Sequence, residues 1–183
     1  MFSSYEIIMH HEFKPTYPNF KELLEQCIKL AELHGDWQHR ADGQIAIQTN
    51  DPTVDNWNAG TGQSKEKIYK KSIEWEQSFY HIQPSLKSTV LEDYFKWLAV
   101  PIYRARIMLA REKGCYSIHQ DYSPRLHLPL ITNKHCNFLF SDPLQMFHLP
   151  ADGTTTWIDT RRPHTFMNGS MEKRLHLVTI VKE

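Results

Sequence analysis

The 183-residue chain is long enough for one domain with a sizeable hydrophobic core. Its 21 basic residues balance its 21 acidic residues, and no run of lysine and arginine exceeds a pair, which argues against a nucleic-acid-binding protein. Three cysteines without CxxC spacing argue against a disulfide framework, and no apolar run approaches the roughly 18 residues of a membrane span, so we expect a soluble cytoplasmic protein without a membrane partner.

The first helix is indicated by apolar residues that recur at helical spacing over Phe20–Leu33. Asn19 precedes this segment as a potential N-cap, and Gly35 follows it as a helix terminator. The segment therefore predicts an amphipathic helix with one buried face.

Further helical and strand-like patterns occupy the rest of the first hundred residues. The predicted elements are strands over Tyr5–His10 and Gln44–Gln48 and helices over Ser64–Phe79 and Ser85–Leu98. The polar segment Asn50–Gly62, which contains Trp57, is expected to form a surface loop or a lid. Residues 1–100 are therefore predicted to be mainly helical.

Short alternating or β-branched segments follow Pro101, separated by glycine, proline and asparagine. The eight predicted strands are Ile102–Glu112, Tyr116–Asp121, Arg125–Thr132, Cys136–Phe140, Met146–Leu149, Thr154–Asp159, His164–Met167 and Lys173–Val181. Eight short strands at close spacing are typical of a sandwich or barrel of the cupin or jelly-roll kind. The predicted fold class is α+β, with the N-terminal helices packed on one face of a β-structure over residues 101–183, in a single domain of residues 1–183.

A candidate metal site is formed by His119, Asp121 and His164. His119 and Asp121 are two residues apart, so in a strand both side chains project from the same face. His164 begins a later predicted strand. Two imidazoles and one carboxylate on a single face of an octahedron are typical of Fe(II), with the other positions left open for substrate and oxygen.

The spacing of His119 and Asp121 is not specific by itself. It recurs at His34 and Asp36, and the segment His10-His11-Glu12 offers a related pattern. We expect neither to bind a metal, because His34 lies at a helix C-terminus, where the helix dipole favours it, and no partner histidine follows in a strand-rich context. The residues downstream of Asp121 therefore carry the interpretation.

Arg174 lies ten residues after His164, with Asn168-Gly169 as a tight reversal between them. Because each lies five residues from Gly169, folding at this turn predicts that they lie at the same level. Arg174 is predicted to be buried, since both faces of its strand are largely apolar. A buried guanidinium near the metal would bind the free carboxylate of a metal-bound dicarboxylate.

The combined pattern resembles the aspartyl/asparaginyl β-hydroxylase family of Fe(II)/2-oxoglutarate-dependent oxygenases. Over residues 102–182 the matching residues are His119-Gln120-Asp121, Arg125-Leu126-His127-Leu128-Pro129-Leu130, Gly153 with Trp157-Ile158-Asp159, and His164 with Arg174. The resemblance implies a double-stranded β-helix in which the chain crosses between two sheets at Asn168-Gly169. It also implies a hydroxylase that uses Fe(II), O2 and 2-oxoglutarate, acts on an amino acid or a peptidyl side chain, and releases succinate and CO2.

The resemblance also implies a role for each matching residue. His119, Asp121 and His164 would hold the iron, and Arg174 would pair with the distal carboxylate of 2-oxoglutarate. Arg125 and His127 would contact the metal-binding end of that cosubstrate. The animal peptidyl aspartyl hydroxylases of this family lack the carboxylate ligand that Asp121 provides here.

Substrate residues are less clearly indicated. Candidates for the mouth of the site are Trp57, His135, Asn137, Arg161 and Arg162, and the two arginines would favour an anionic substrate group. Two alternatives remain open. A metal-binding cupin enzyme that does not use 2-oxoglutarate would not need Arg174, and a non-catalytic cupin binding module would bind no iron.

Overall fold

The computed structural model of the protein describes residues 9–35, 42–61 and 72–182. The helices in these ranges are α1 (Phe20–His34), α2 (Ile73–Gln77) and α3 (Val90–Leu98). The strands are β1 (His10–Lys14), β2 (Asp42–Ala46), β3 (Gln48–Thr49), β4 (His81–Ile82), β5 (Ile102–Ala110), β6 (Gly114–Cys115), β7 (Arg125–Ile131), β8 (Cys136–Ser141), β9 (Leu144–Phe147), β10 (Thr155–Ile158), β11 (His164–Asn168) and β12 (Arg174–Val181).

Two antiparallel sheets form the body of the described protein. The larger has the strand order β1-β10-β7-β12-β5-β2, and the smaller has the order β6-β11-β8-β9. Strands β3 and β4 form a separate pair. Consecutive strands often lie in different sheets, as β11 and β12 do, which is consistent with a jelly roll.

The main hydrophobic core lies between the larger sheet and helices α1 and α3. Leu23 and Cys27 of α1 and Leu91 of α3 are fully buried there, together with sheet residues such as Leu128 and Leu177. Each fully buried leucine contributes roughly 1.5–3 kcal/mol relative to an exposed one. This packing covers one face of the larger sheet and leaves the opposite face to form a cavity with the smaller sheet.

The predicted first helix is confirmed, since α1 follows Asn19 and Gly35 caps its C-terminus. The third predicted helix begins later than expected, at Val90, because Pro84–Leu86 form a short 3-10 turn and Ser88 has a φ of 59°. Its predicted apolar face, which includes Leu91 and Leu98, is buried as expected. None of the described helices combines the length and the apolar character needed to cross a bilayer.

Two other predicted elements differ or lie partly outside the described residues. The described part of the Ser64–Phe79 segment forms a helix only from Ile73, because Ser72 is extended and its hydroxyl accepts a hydrogen bond from the Trp75 amide. Residues 64–71 lie outside the described residues, as does the predicted strand Tyr5–His10 except for its last two residues. Strands β1 and β2, in the N-terminal part, join the larger sheet.

Candidate metal centre

A cavity of about 510 Å³ lies between the two sheets. Its walls carry side chains from β2, β5, β7 and β12 of the larger sheet and from β8 and β11 of the smaller one. Four arginines and two carboxylates line the cavity, which leaves an excess of two positive charges. These charged residues are Arg104, Arg106, Arg125, Arg174, Glu76 and Asp121. The described wall is therefore suited to anionic ligands.

The three predicted metal ligands meet at this cavity. Each of His119, Asp121 and His164 offers one ligand atom, and these atoms lie within 4.8 Å of one another. Nε2 of His164 is 3.9 Å from Oδ2 of Asp121, and the ring centres of His119 and His164 are 4.4 Å apart. No other group of three potential ligands occurs in the described ranges.

The predicted strand over Tyr116–Asp121 is wrong. Beyond Cys115 this segment has no continuous strand pairing, and His119 forms an isolated bridge with His164, each amide donating to the carbonyl of the other at 2.9 Å. The Asp121 amide donates to the Thr160 carbonyl at 2.8 Å. These three backbone hydrogen bonds replace the strand in placing the imidazoles and the carboxylate side by side.

Each candidate histidine ligand is oriented by a backbone carbonyl two residues before it. Nδ1 of His119 is 2.8 Å from the Ser117 carbonyl, and Nδ1 of His164 is 2.8 Å from the Arg162 carbonyl. A carbonyl only accepts, so each Nδ1 carries the proton and each Nε2 keeps its lone pair. Such a bond is the usual orienting contact of a metal-binding histidine. These partners were not evident from the sequence.

Arg125 holds the carboxylate of the triad. Its Nε donates to Oδ2 of Asp121 at 3.1 Å, and its Nη2 lies 3.0 Å from Oδ1. The same Nη2 donates to Oε1 of Glu76 at 2.7 Å. Only Nη1 has no hydrogen-bond partner among the described residues, so most of this guanidinium is committed to carboxylates of the protein.

Glu76 is a buried acid that sequence reasoning did not find. Its side chain is 2% exposed, and it accepts hydrogen bonds from Arg104 at 2.6 Å and from the Ser123 hydroxyl at 2.7 Å in addition to that from Arg125. Burial alone would raise the pKa of Glu76, but the charge of Arg125 and the hydrogen bonds that it receives lower it below the usual range. Glu76 therefore supplies a fixed negative charge behind the site.

The charge states of the triad follow from the same surroundings. Burial opposes the ionised form of Asp121, but the charge of Arg125 and its hydrogen bonds prevail, and the pKa of Asp121 lies below its usual range. Burial lowers the pKa of His164. A carboxylate beside a neutral imidazole is the protonation state that metal binding requires.

Arg174 lines the same cavity and is 3% exposed. Its guanidinium lies 3.3 Å from the centre of the Phe166 ring and contacts Nδ1 of His176. Its Nε has no hydrogen-bond partner, and no carboxylate lies within ion-pair distance in the described part of the chain. Burial lowers the pKa of Arg174 to about 9, so its charged form is costly until an anion pairs with it.

The chain crosses from the smaller to the larger sheet between Asn168 and Arg174, as the resemblance implied. The prediction that His164 and Arg174 lie at the same level is wrong. Arg174 pairs with Ala110, whose carbonyl accepts a hydrogen bond from the Asn168 side chain at 3.4 Å, so Arg174 is level with the far end of β11. Residues 169–173 form the crossing.

His127 lies in the cavity wall, with Nδ1 3.4 Å from Nδ1 of His176. Burial, with a smaller effect from Arg174, lowers the pKa of His127 well below its ordinary value. His127 is therefore neutral and offers a hydrogen-bonding group to the cavity without adding charge.

No family model matches this sequence, and no curated protein matches it either. Solved structures match in fold. A prolyl-4-hydroxylase from Pseudomonas putida is 13% identical with a TM-score of 0.53, over 95% of this chain and 91% of that chain. The non-haem α-ketoglutarate-dependent epimerase SnoN of nogalamycin biosynthesis is 11% identical with a TM-score of 0.55, over 95% of this chain and 76% of that chain. The carbocyclase SnoK of the same biosynthesis, also non-haem and α-ketoglutarate-dependent, is 11% identical with a TM-score of 0.53, over 93% of this chain and 77% of that chain. The chain shares the fold of these enzymes.

None of the proposed mouth residues lines the cavity. Trp57 stacks on His34 at 4.1 Å and packs against the main core. Arg161 pairs with Asp159, and Arg162 donates to the Asp142 carbonyl. His135 and Asn137 are also absent from the cavity wall. The loop that contains Trp57 nevertheless reaches the site through Gly60, whose carbonyl accepts a hydrogen bond from Nε of Arg104 at 2.7 Å.

Arg104 and Arg106 are cavity residues that the sequence interpretation missed. Both line the cavity on the same face of β5, whose register is irregular between Tyr103 and Arg106, where Arg104 adopts a φ of 50°. Ala105 and Ile107 face the main core instead. Two arginines alternating with apolar residues in a long apolar strand were the signal that could have found them.

Proposed function

We propose that this protein is an Fe(II)- and 2-oxoglutarate-dependent oxygenase with a double-stranded β-helix fold, similar to the aspartyl/asparaginyl β-hydroxylases, that hydroxylates an amino acid or a peptidyl side chain. The observation that carries the proposal is one cavity holding both the triad His119, Asp121 and His164 and the unpaired buried cation Arg174. A cytoplasmic location is part of the proposal. The three free cysteines, at 27, 115 and 136, fit a reducing compartment.

The donor set fits Fe(II). Two imidazole Nε2 atoms and one carboxylate converge within 4.8 Å, and no further His, Cys, Asp or Glu of the described residues joins them, so positions remain for a cosubstrate and O2. His119 and His164 are held with Nε2 toward the site, and Asp121 is held ionised by Arg125. The protein therefore presents its ligands in the forms that bind a metal.

Arg174 fits the distal carboxylate of 2-oxoglutarate. Its Nε has no hydrogen-bond partner, and it has no carboxylate neighbour among the described residues. A dicarboxylate bound through its keto-acid end to the metal would extend along the cavity toward it. His127 would hydrogen-bond near the metal-binding end, whereas Arg125, whose Nε and Nη2 are occupied, would chiefly position Asp121 and reach the cosubstrate only through Nη1.

With iron bound, the reaction converts a substrate C–H, O2 and 2-oxoglutarate into a C–OH, succinate and CO2. The residues of the chain supply position, charge and exclusion of water. Phe138 and Phe166 form apolar walls, and His164 stacks against Phe138 with ring centres 5.1 Å apart. Arg174 fixes the direction of the cosubstrate. Arg125 keeps the charged carboxylate of Asp121 at the ligand position.

Calorimetry with Mn(II) in place of iron tests the proposal and separates its alternatives. The wild-type protein is expected to bind one Mn(II) and then one 2-oxoglutarate. Arg174→Met is expected to retain Mn(II) but to bind 2-oxoglutarate at least about tenfold more weakly, since it removes one partner of a buried charge pair. Arg161→Met, at an exposed arginine, serves as the matched control.

Each alternative gives a different calorimetric result. A cupin enzyme that does not use 2-oxoglutarate would bind Mn(II), and its affinity for 2-oxoglutarate would be absent or insensitive to Arg174→Met. A non-catalytic module would bind no Mn(II) at the triad. Either result would overturn the proposal.

A further inference from the structure

Two of the four cavity arginines have no carboxylate partner. Glu76 pairs with Arg104 and Arg125, and Asp121 also pairs with Arg125. Within the described ranges, no carboxylate lies within ion-pair distance of Arg106 or Arg174. The proposed function assigns Arg174 to 2-oxoglutarate and leaves Arg106 without a ligand.

Arg106 is held in place by neutral acceptors only. Its Nε donates to the Arg104 carbonyl at 3.3 Å, and its Nη1 donates to Oε1 of Gln44 at 2.9 Å. Its Nη2 makes no hydrogen bond within the described part of the protein, and the residue is 5% exposed. Burial, followed by the charges of Arg104 and Arg125, lowers the pKa of Arg106 well below its ordinary value. A buried cation in such surroundings is costly unless an anion joins it.

Arg106 and Arg174 occupy different ends of the cavity. Arg174 pairs with Ala110 and Arg106 pairs with Val178, so the two arginines are offset by four residues, roughly 13 Å along the strands. Arg174 is level with the end of β11 that is remote from His164, and Arg106 is displaced toward the His164 end. The charges that act on Arg106 include Asp121 and Glu76, whereas neither acts on Arg174. Arg106 therefore lies near the metal ligands, where the bond to be oxidised must be.

We propose that Arg106 binds the carboxylate of the substrate that is oxidised, and that this substrate is a free amino acid. The inference rests on the proposed function and specifies its substrate. An internal residue of a peptide has no main-chain carboxylate. The side-chain carboxylate of a peptidyl aspartate is attached through a single methylene. A peptide backbone would therefore have to enter the cavity to bring that carboxylate to Arg106, a residue that is only 5% exposed.

The size and the walls of the cavity fit this substrate class. A volume of about 510 Å³ lies within the range of sites for small ligands and accommodates an amino acid beside 2-oxoglutarate. Met108 and Val178 provide apolar surface next to Arg106 for a side chain. Gln44 holds the guanidinium in orientation through a hydrogen bond to Nη1, so Nη2 remains available for a carboxylate.

Calorimetry on the protein saturated with Mn(II) and 2-oxoglutarate tests the inference. The probes are the free amino acids, their α-carboxamides and a terminally blocked aspartyl peptide. At least one free amino acid is expected to bind. The α-carboxamide of that amino acid is expected to bind at least about tenfold more weakly. Arg106→Gln is expected to lose at least about tenfold in affinity for that amino acid while keeping its affinity for 2-oxoglutarate. Arg111→Gln, at an exposed arginine just beyond β5, is expected to match the wild type.

The outcomes separate this inference from the proposed function. If the wild type fails to bind Mn(II) or 2-oxoglutarate, the proposed function fails before any amino acid is added. If both bind, the inference is overturned by equal binding of an amino acid and its carboxamide, by binding of the blocked peptide alone, or by binding of no amino acid. It is also overturned if Arg106→Gln weakens 2-oxoglutarate instead. The carboxamide comparison uses the wild-type protein and holds even if a variant does not fold.

Discussion

Arg125 donates a hydrogen bond from Nε to Oδ2 of Asp121 at 3.1 Å, and its Nη2 lies at ion-pair distance, 3.0 Å, from the other carboxylate oxygen, Oδ1. The fork of the guanidinium matches the two oxygens, so the carboxylate cannot rotate freely. Glu76 holds Arg125 from behind at 2.7 Å. The orientation of the candidate carboxylate ligand is therefore set by a buried chain of charges that begins on α2.

Arg125→Lys is expected to weaken metal binding about tenfold to a hundredfold, which is the usual effect of losing a residue that orients a metal ligand. Lysine keeps the positive charge but cannot donate two hydrogen bonds in a fork. Mn(II) affinity measured by calorimetry checks this. Arg161→Lys changes an exposed arginine paired with Asp159, so its affinity should equal that of the wild type. Equal loss in both variants would refute the role of the fork.

Glu76→Gln is expected to destabilise the protein by about 3–5 kcal/mol, because Arg104 and Arg125 lose their buried counter-charge. Urea unfolding at neutral pH measures this difference. Glu92→Gln provides the matched control, because Glu92 pairs with the largely exposed Lys96. This substitution should lower the free energy of unfolding by less than about 1 kcal/mol. Similar costs for the two variants would show that the Glu76 network does not stabilise the fold.

The stability difference between the wild type and Glu76→Gln is expected to depend on pH. The pKa of Glu76 is lowered in the folded protein from the usual value of 4.5, so the folded state binds its proton less readily than the unfolded state. This contribution is fully present above pH 4.5 and is lost as the pH falls through the folded pKa. In urea unfolding at pH 7, 5, 4 and 3, the difference in free energy of unfolding between the two proteins should stay constant down to about pH 4.5 and should then shrink. A difference that grows toward pH 3 would contradict this.

Gly153→Ala is expected to destabilise the protein by roughly 1–3 kcal/mol. Gly153 has a φ of 87°, and an added Cβ would lie 2.9 Å from Thr16 and 3.0 Å from Phe20 at the start of α1. Gly169→Ala is the comparison, because its Cβ would meet only the His135 carbonyl, at 3.4 Å. Thermal unfolding should show a clear loss for the first variant and little for the second. The glycine of the family-like pattern thus has a packing role near α1.

The candidate ligand residues could be picked out from the sequence because metal binding uses short, chemically distinctive spacings. His119, Asp121 and His164 meet as expected, although their segment is not a strand. Backbone hydrogen bonds between distant segments, such as that from Asp121 to Thr160, achieve the same alignment. Such bonds leave no pattern in the sequence.

The buried charges around the ligands could not be predicted in the same way. Glu76 lies on the five-residue helix α2, where no periodicity distinguishes a buried acid from an exposed one. Arg104 and Arg106 alternate with the core residues Ala105 and Ile107, but the sequence does not indicate which face of β5 lines a cavity. The pairing of Glu76 with Arg125, 49 residues away, depends on the tertiary fold. The sequence pattern therefore indicated the candidate ligands but not the buried charges that surround them.

Anaerobic absorption spectroscopy shows whether Fe(II) and 2-oxoglutarate bind together at the triad. A keto acid that chelates an open Fe(II) site gives a weak visible charge-transfer band. We expect this band with the wild-type protein, and we expect its loss in Asp121→Ala, which removes a proposed ligand, and in Arg174→Ala, which removes the partner of the distal carboxylate. A folded wild-type protein that binds Fe(II) but shows no band on addition of 2-oxoglutarate would contradict the account.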